Sequence, residues 1–391
     1  MAILDGVPAG LSIDFDQITR DLRRRQGGYG RGQRMKIESD QATFAGGVRR
    51  GRTTGAPIAL LIPNRDWKNW QRTMHVEADA PEGATGALRG PVVRPRPGHA
   101  DLAGGLKYEL EDLRDVLERA SARETAARVA AGAVARQFLQ ALGIDAASHV
   151  TGIGDVVVPD DPPVSFEAAR ALPPDTPLSV VDGAYEARMI AAIDAAREAG
   201  DTLGGSFEVI VRGVPPGLGS HVQWDRKLDG RLAQAVMSIP AIKAVGIGLG
   251  VEAARRPGSR VHDEIVGRPV ASGAHGLARP TNRAGGLEGG VTNGEEIRVT
   301  GYMKPISTLM KPLRSVDLTT LLESPAAIER SDVCAVPAAA VVAEAVVCLV
   351  LADAALERFG GDSMRQVLAH VRDAVAHVQR RLSPPAASPA S

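Results

Sequence analysis

Cysteine is nearly absent from this 391-residue chain, where Cys334 and Cys348 stand alone with no Cys-x-x-Cys pair. That excludes a disulfide framework and a cysteine-based zinc site, and it suits a reducing, cytoplasmic setting. No metal is expected. Aromatic residues make up 3%, too few for a base-stacking surface on single-stranded nucleic acid. Net charge is missing too: 46 Lys and Arg balance 46 Asp and Glu, so nothing favours nucleic acid or another polyanion as a general partner. The best membrane candidate, 338–352, is short, rich in Ala and carries Glu344, with Asp353 just beyond. It reads as a buried helix rather than a span. The first residues have no basic stretch ahead of a long apolar core, so no secretory signal is expected.

What is abundant is arginine. Only seven of the 46 basic residues are Lys and 39 are Arg, the planar group that pairs bidentately with phosphate and carboxylate. Hydrophobic residues at 44% and charged residues at 24% describe an ordinary globular chain with material for a core.

The spacing of apolar residues predicts helices over 14–26, 112–142, 184–199, 337–359 and 362–382. Asp14 and Gln17 form a capping box for the first. Gly27, Gly143 and Gly200 are stops, and Pro337 sits in a first turn. Strands are expected at 57–62, 206–212 and 296–302. Helices and strands alternate in no simple rhythm, so the expected class is α+β. Residues 1–382 are read as one domain. The Pro, Ala and Ser residues of 383–391 are read as a disordered tail.

One motif occurs twice. Gly6-Val7-Pro8-Ala9-Gly10-Leu11 returns 207 residues later as Gly213-Val214-Pro215-Pro216-Gly217-Leu218, and a helical stretch follows each copy. This reads as a duplicated strand-turn-helix unit. Only Ala2 to Asp5 precede the first copy, so its leading strand is expected to be incomplete.

Five clusters can carry chemistry. Arg23, Arg24 and Arg25 run into a glycine-rich loop, Gly27-Gly28-Tyr29-Gly30, followed by Arg31 and Arg34; the glycines let backbone approach a ligand and the guanidiniums neutralise it. Arg94-Pro95-Arg96-Pro97-Gly98-His99-Ala100-Asp101 is a loop stiffened by two prolines, with a titratable His beside arginines. Arg119 and Arg123 lie four apart around Ala120 and Ser121, on one helix face. Gly285-Gly286-Leu287-Glu288-Gly289-Gly290 can present backbone N–H groups to an anion, and Lys304 and Lys311 follow. Arg330-Ser331-Asp332 sets an acid two residues from a guanidinium. Together they fit a ligand bearing several negative groups, and composition carries the reading no further.

These residues resemble the chorismate synthase family. The resemblance rests on Arg-Arg-Arg-Gln-Gly-Gly-Tyr-Gly-Arg-Gly, Arg-Pro-Gly-His-Ala-Asp, Ser-Ala-Arg-Glu-Thr, Gly-Gly-x-x-Gly-Gly, Lys-Pro-Ile-Ser-Thr and Arg-Ser-Asp, in the family's order, from Gly6 to about Val336. It implies a layered β-α-β sandwich with an internal pseudo-two-fold repeat, assembled as a homotetramer. The implied reaction is a 1,4-anti elimination of phosphate from 5-enolpyruvylshikimate 3-phosphate, giving chorismate, with reduced FMN required. By similarity, Arg119, Ala120, Ser121, Pro240, Ala241, Gly289, Lys304, Pro305, Ile306, Ser307, Thr308 and Arg330 contact the flavin. Arg25 and Arg31 take positions the family assigns to NADPH as reductant. The substrate's anions would use those two equally well, together with Arg34, Arg96 and Arg123. Asp332 is expected to assist proton removal, and His99 to supply a proton or positive charge.

The family pattern begins with a strand and a Gly-Glu-Ser-His-Gly motif whose His protonates the departing phosphate. Here the sequence starts after it. The expectation is a native start roughly 14 residues upstream. The alternative, with Met1 as the start, is an impaired form that binds flavin and anions.

Overall fold

The computed structural model describes residues 1–32, 40–120, 122–267, 277–329 and 331–382. Arg34, Ser121, Arg330 and the 383–391 tail lie outside the described residues.

Helix α1 (Phe15–Gln26) starts where the sequence says, with Asp14 accepting from the backbone N–H groups of Asp16 and Gln17 at 2.9 and 3.0 Å. The reciprocal half of the box is supplied from elsewhere. Gln137 Oε1 accepts the Asp14 N–H at 2.7 Å, and Gln17 instead donates to Gln140 at 3.2 Å. A tertiary contact has replaced a local one, which ties the start of α1 to a distant helix.

The expected helix over 112–142 is three pieces. After α2 (Asp101–Tyr108) come α3 (Arg114–Arg119), a 3-10 turn at Ala122–Glu124 and α4 (Thr125–Ala141). The apolar stripe of Leu113, Val116 and Leu117 is not continued through the polar stretch that follows, so that turn has no face to bury. The Thr125 hydroxyl donates to the Ala122 carbonyl at 2.6 Å, stabilising the break. The remaining long helices are α5 (Gly183–Ala199), α6 (Leu228–Met237), α7 (Val336–Phe359) and α8 (Met364–Leu382). Helix α7 is long and apolar enough to cross a membrane, yet 78% of its most apolar window is buried inside the protein. It is a core helix.

Two antiparallel sheets flank the helices. The smaller joins β1 (Ala2–Leu4), β2 (Thr43–Gly46) and β5 (Ile58–Leu61) in the order β1-β5-β2, with a hairpin of β3 (Val48–Arg49) and β4 (Arg52–Thr53) leading into β5. The larger contains β6 (Asp145–Ile153), β7 (Val156–Val157), β8 (Gly205–Arg212), β9 (Ile242–Ile247) and, after a second hairpin of β10 (Leu287–Glu288) and β11 (Val291–Thr292), β12 (Ile297–Met303). Its order is β7-β6-β8-β12-β9.

The duplicated motif is real and larger than the sequence echo. In the first copy Thr53 Oγ1 donates to Pro8 O at 2.6 Å and accepts from Leu11 N at 2.9 Å, and Gly10 N donates to Thr53 O. In the second copy Thr292 Oγ1 donates to Pro215 O at 2.7 Å and accepts from Leu218 N at 2.8 Å, and Gly217 N donates to Thr292 O. Each threonine closes its hairpin, and each hairpin enters a strand, β5 or β12, paired with the strand that precedes the motif. Ala45-Gly46-Gly47 thereby matches Ala284-Gly285-Gly286. Gly47 (φ 82°) and Gly286 (φ 77°) each press on the backbone of the next strand, where a Cβ would come within 2.5 Å of Pro57 O or 2.6 Å of Glu296 O.

The small sheet packs on α4 and the large one on α6 and α7, giving the layered β-α-β arrangement. One cluster of buried side chains, from Leu11 through Leu60, Val134 and Val209 to Val347, runs through both halves. At the seam α4 and α7 approach so closely that a Cβ on Gly132 would lie 2.5 Å from Ala345 Cβ.

Candidate functional site

The last turn of α1 points Arg25 inward, where it is 3% exposed. Its Nη2 donates to Asp40 Oδ2 at 2.8 Å and its Nη1 to Thr125 Oγ1 at 3.3 Å. The break before α4 directs Arg123 to the same carboxylate: Nη1 reaches Asp40 Oδ1 at 2.5 Å, and Nη2 reaches Pro63 O at 3.0 Å. Asp40 thus clamps two guanidiniums. Burial lowers the Arg25 pKa against the pull of Asp40, and the positive charges of Arg31 and Arg123 lower it further. Three cations therefore share one electrostatic neighbourhood.

The glycine-rich loop after α1 carries Arg31 to Asp332, Nη1 to Oδ2 at 2.7 Å. The other oxygen of Asp332 accepts Gly32 N at 2.7 Å, and Gly30 O accepts Val333 N at 2.8 Å. Asp332 is held on both oxygens. Its neighbour Cys334 is buried, which pushes its thiol up to about 11, so it stays protonated at neutral pH.

The rigid proline loop builds a second centre around Asp101, the first residue of α2, which is fully buried. One carboxylate oxygen accepts from Arg96 N at 3.0 Å and Arg96 Nε at 2.8 Å. The other is shared by Arg96 Nη2 at 3.1 Å and His99 Nδ1 at 2.6 Å. Burial alone would raise the Asp101 pKa, but the bonds from His99 and Arg96 hold it well below the usual carboxylate range. Arg96 Nη1 continues to Thr308 Oγ1 at 3.0 Å. Lys304 Nζ donates to Gly98 O, which also accepts from Ser307 Oγ at 3.1 Å. Burial and the nearby Lys243 ammonium lower the Lys304 pKa. The His99 loop and the 304–308 loop are therefore interlocked.

Thr202 and Leu203 join the two centres. Thr202 Oγ1 donates to Ile306 O at 2.7 Å, and Leu203 N donates to Val333 O at 2.8 Å. Ala241, in the left-handed region at φ 70°, accepts Lys304 N through its carbonyl at 2.9 Å, which brings Pro240 and Ala241 to the same loop. The turn before them reaches α4, where Arg128 Nη1 donates to Ser238 Oγ at 2.7 Å.

The structure thus assembles Arg25, Arg31, Arg123 and Asp332 around one centre. It assembles Arg96, His99, Lys304, Pro305, Ile306, Ser307, Thr308, Pro240 and Ala241 around the other. Arg119 is exposed and Ala120 half-buried at the end of α3. Gly289 is not brought to either centre: it tops the β10–β11 turn beside His221 and next to Gly290, which packs on Lys227. That is the opposite end of α6 from Pro240. Sequence reasoning missed Asp40 and Asp101 as organisers. The one available signal was Asp101 at two and five residues from His99 and Arg96.

A family model described as chorismate synthase matches residues 1–356. The chorismate synthase of Moorella thermoacetica is 60% identical over 361 residues, covering 92% of this chain and 91% of that protein. That of Geobacter sulfurreducens is 55% identical over 372 residues, covering 94% and 92%. The chain belongs to the chorismate synthase family. A crystal structure of chorismate synthase superposes with a TM-score of 0.75 at 42% identity, covering 97% of this chain and 94% of that one. The family fold is thereby the fold of this chain, including its layered sheets. For a chorismate synthase, the second centre offers a donor set suited to a flavin phosphate and ring edge: an ammonium, two hydroxyls, a guanidinium and an imidazole. The first centre offers guanidiniums for the anions of a substrate.

Proposed function

We propose that this chain catalyses the 1,4-anti elimination of phosphate from 5-enolpyruvylshikimate 3-phosphate, yielding chorismate in the cytoplasm. The pairing of Arg25 and Arg123 on Asp40, beside Arg31 on Asp332, carries the reading. It concentrates preplaced cations where a substrate with one phosphate and two carboxylates needs them. In the elimination a C–H bond at carbon 6 and the C–O bond to phosphate both break, a new C=C bond forms, and no net oxidation occurs. Asp332 is the group assigned to assist proton removal. His99, oriented by Asp101, supplies positive charge or a proton. Lys304, Ser307 and Thr308 would hold FMN, which when reduced would supply electron density transiently, and Arg96, bonded to Thr308, would stand beside them as a cation for the substrate's anions.

Arg25 and Arg31 serve the substrate's anions in this reading, and NADPH is a competing occupant of the same guanidiniums. Assembly as a homotetramer accompanies the proposal. The test is an anaerobic assay of the purified chain with chemically reduced FMN, following inorganic phosphate and chorismate. Equal amounts of both are expected. Flavin uptake without phosphate release would refute catalysis. NADPH oxidation without the shikimate substrate would indicate a reductase.

A further inference from the structure

The loop that delivers Arg31 contains Gly27, Gly28, Gly30 and Gly32 within six residues. Such a segment gives up more conformational freedom on ordering than any other composition would. Something must hold it, because the Arg31–Asp332 pair at 2.7 Å depends on where the loop lies. The single large apolar-bodied side chain in it is Tyr29. Its backbone N–H donates to Pro177 O at 2.7 Å. Its hydroxyl meets both carboxylate oxygens of Asp194 on α5, at 2.9 and 3.1 Å. Asp194 is in turn held by Arg197 Nη1 at 2.7 Å, and that guanidinium lies 5.3 Å from the centre of the Tyr29 ring. On either side the glycines allow the approach. A Cβ on Gly30 would sit 3.1 Å from Ile193 and 3.2 Å from Cys334, and one on Gly28 would sit 3.3 Å from Pro337. The loop is therefore clamped between α5 and the start of α7, and beside the Arg31–Asp332 pair itself Tyr29 is a side-chain hook that holds it to α5.

We propose that Tyr29, through Asp194 and Arg197, is a positioning residue that sets Arg31 for the substrate's anion. This rests on the substrate reading above. Neither Tyr29 nor Asp194 belongs to the cation clusters themselves; they act on the substrate only through the loop. A hydrogen bond to a half-exposed carboxylate is worth enough to matter for a loop this glycine-rich, on the order of a tenfold change in occupancy of the competent position.

The experiment is a double-mutant cycle read as binding of 5-enolpyruvylshikimate 3-phosphate by calorimetry, alongside FMN affinity and steady-state rates. Tyr29→Phe keeps the ring and removes the hydroxyl. It should weaken substrate binding about 3- to 10-fold and raise KM more than it lowers kcat, with FMN affinity unchanged. Asp194→Asn should reproduce this, and the double variant should be no worse than either single one. In an Arg31→Ala background, Tyr29→Phe should add nothing, because the side chain it positions is gone. Additive losses in that background would overturn the proposal. So would a Tyr29→Phe protein that is merely less stable to heat with unchanged substrate affinity. If the unmodified chain fails to bind the substrate, the substrate reading falls and this inference with it. Binding by the unmodified chain with an additive cycle defeats the inference alone.

Discussion

Replacing Glu344 with Gln removes the anion on which α1, α4, α7 and β6 converge. Glu344 is 3% exposed. It accepts both Arg24 Nη1 and Nη2 at 2.9 Å, Arg136 Nη1 at 2.5 Å and Ser148 Oγ at 2.8 Å. Arg24 and Arg136 also reach Asp21, at 3.1 and 3.4 Å. The substitution leaves the buried Arg136 and the part-buried Arg24 with Asp21 and the more exposed Asp145 as counter-charges. Breaking a buried pair from one side costs about 3–5 kcal/mol, because the remaining charge stays desolvated. Against a whole stability of about 5–15 kcal/mol this is a large loss.

Acid should report the same network. Burial alone would raise the Glu344 carboxyl, but Arg24 and Arg136 more than reverse that, taking it from 4.5 to about 2. A lowered carboxylate contributes stability that is complete above its unfolded pKa and lost as pH falls through its folded one. The loss from Glu344 therefore falls between about pH 4.5 and 2. Asp21 works in the opposite sense: burial, with the charge of Glu344 adding, raises its carboxyl, so its ionisation weakens the fold as pH rises past its ordinary value. Urea unfolding from pH 7 to about pH 2 measures both effects. Glu344→Gln should lower stability by several kcal/mol at pH 7 and flatten the acid limb. A loss under about 1 kcal/mol with an unchanged acid limb would refute the reasoning.

Asp332→Asn should slow elimination about 10²–10⁴-fold while flavin affinity changes little; anaerobic turnover beside flavin titration checks this, and equal losses in both would count against proton transfer. Arg123→Ala should raise KM for the substrate at least about tenfold, since it removes one of the two cations on Asp40; an unchanged KM would place Arg123 outside the substrate site. Thr53→Val and Thr292→Val each delete two hydrogen bonds of the repeated turn, all buried but the part-buried Thr292–Pro215 bond. Each should cost about 1–3 kcal/mol in chemical denaturation, and a large difference between them would break the structural equivalence.

Local signals in the sequence located what local physics controls. Asp14 starts α1, Gly143 and Gly200 follow the ends of α4 and α5 as expected, and the alternating runs at 206–212 and 296–302 pair with each other in the large sheet. The break in the 112–142 helix was only half legible: the apolar stripe lapses after Leu117, but the partners that fix the turn, Asp40 and Pro63 for Arg123 and Arg25 for Thr125, are tertiary. The duplication showed only six residues of itself. Thr53 follows Leu11 by 42 positions, whereas Thr292 follows Leu218 by 74, so no single offset aligns both turn and hairpin. The site's cations were visible as arginine clusters. The carboxylates that aim them were harder to see: Asp40 lies 15 and 83 positions from its two guanidiniums, and Asp101 shows itself only by its spacing from His99 and Arg96. Gly289 carried a family role that its hairpin does not deliver to the same centre within one chain.

Gly132 has a meaning beyond packing density. Arg123 lies just ahead of α4 and Asp332 just ahead of α7, and these two helices meet at Gly132 with no room for a single methyl group. An alanine at 132 would act as a wedge between the two helices, shifting the charged residues that lead into them without touching either. The relative placing of Arg123 and Asp332 thus depends on a missing side chain, at a position that carries no charge of its own.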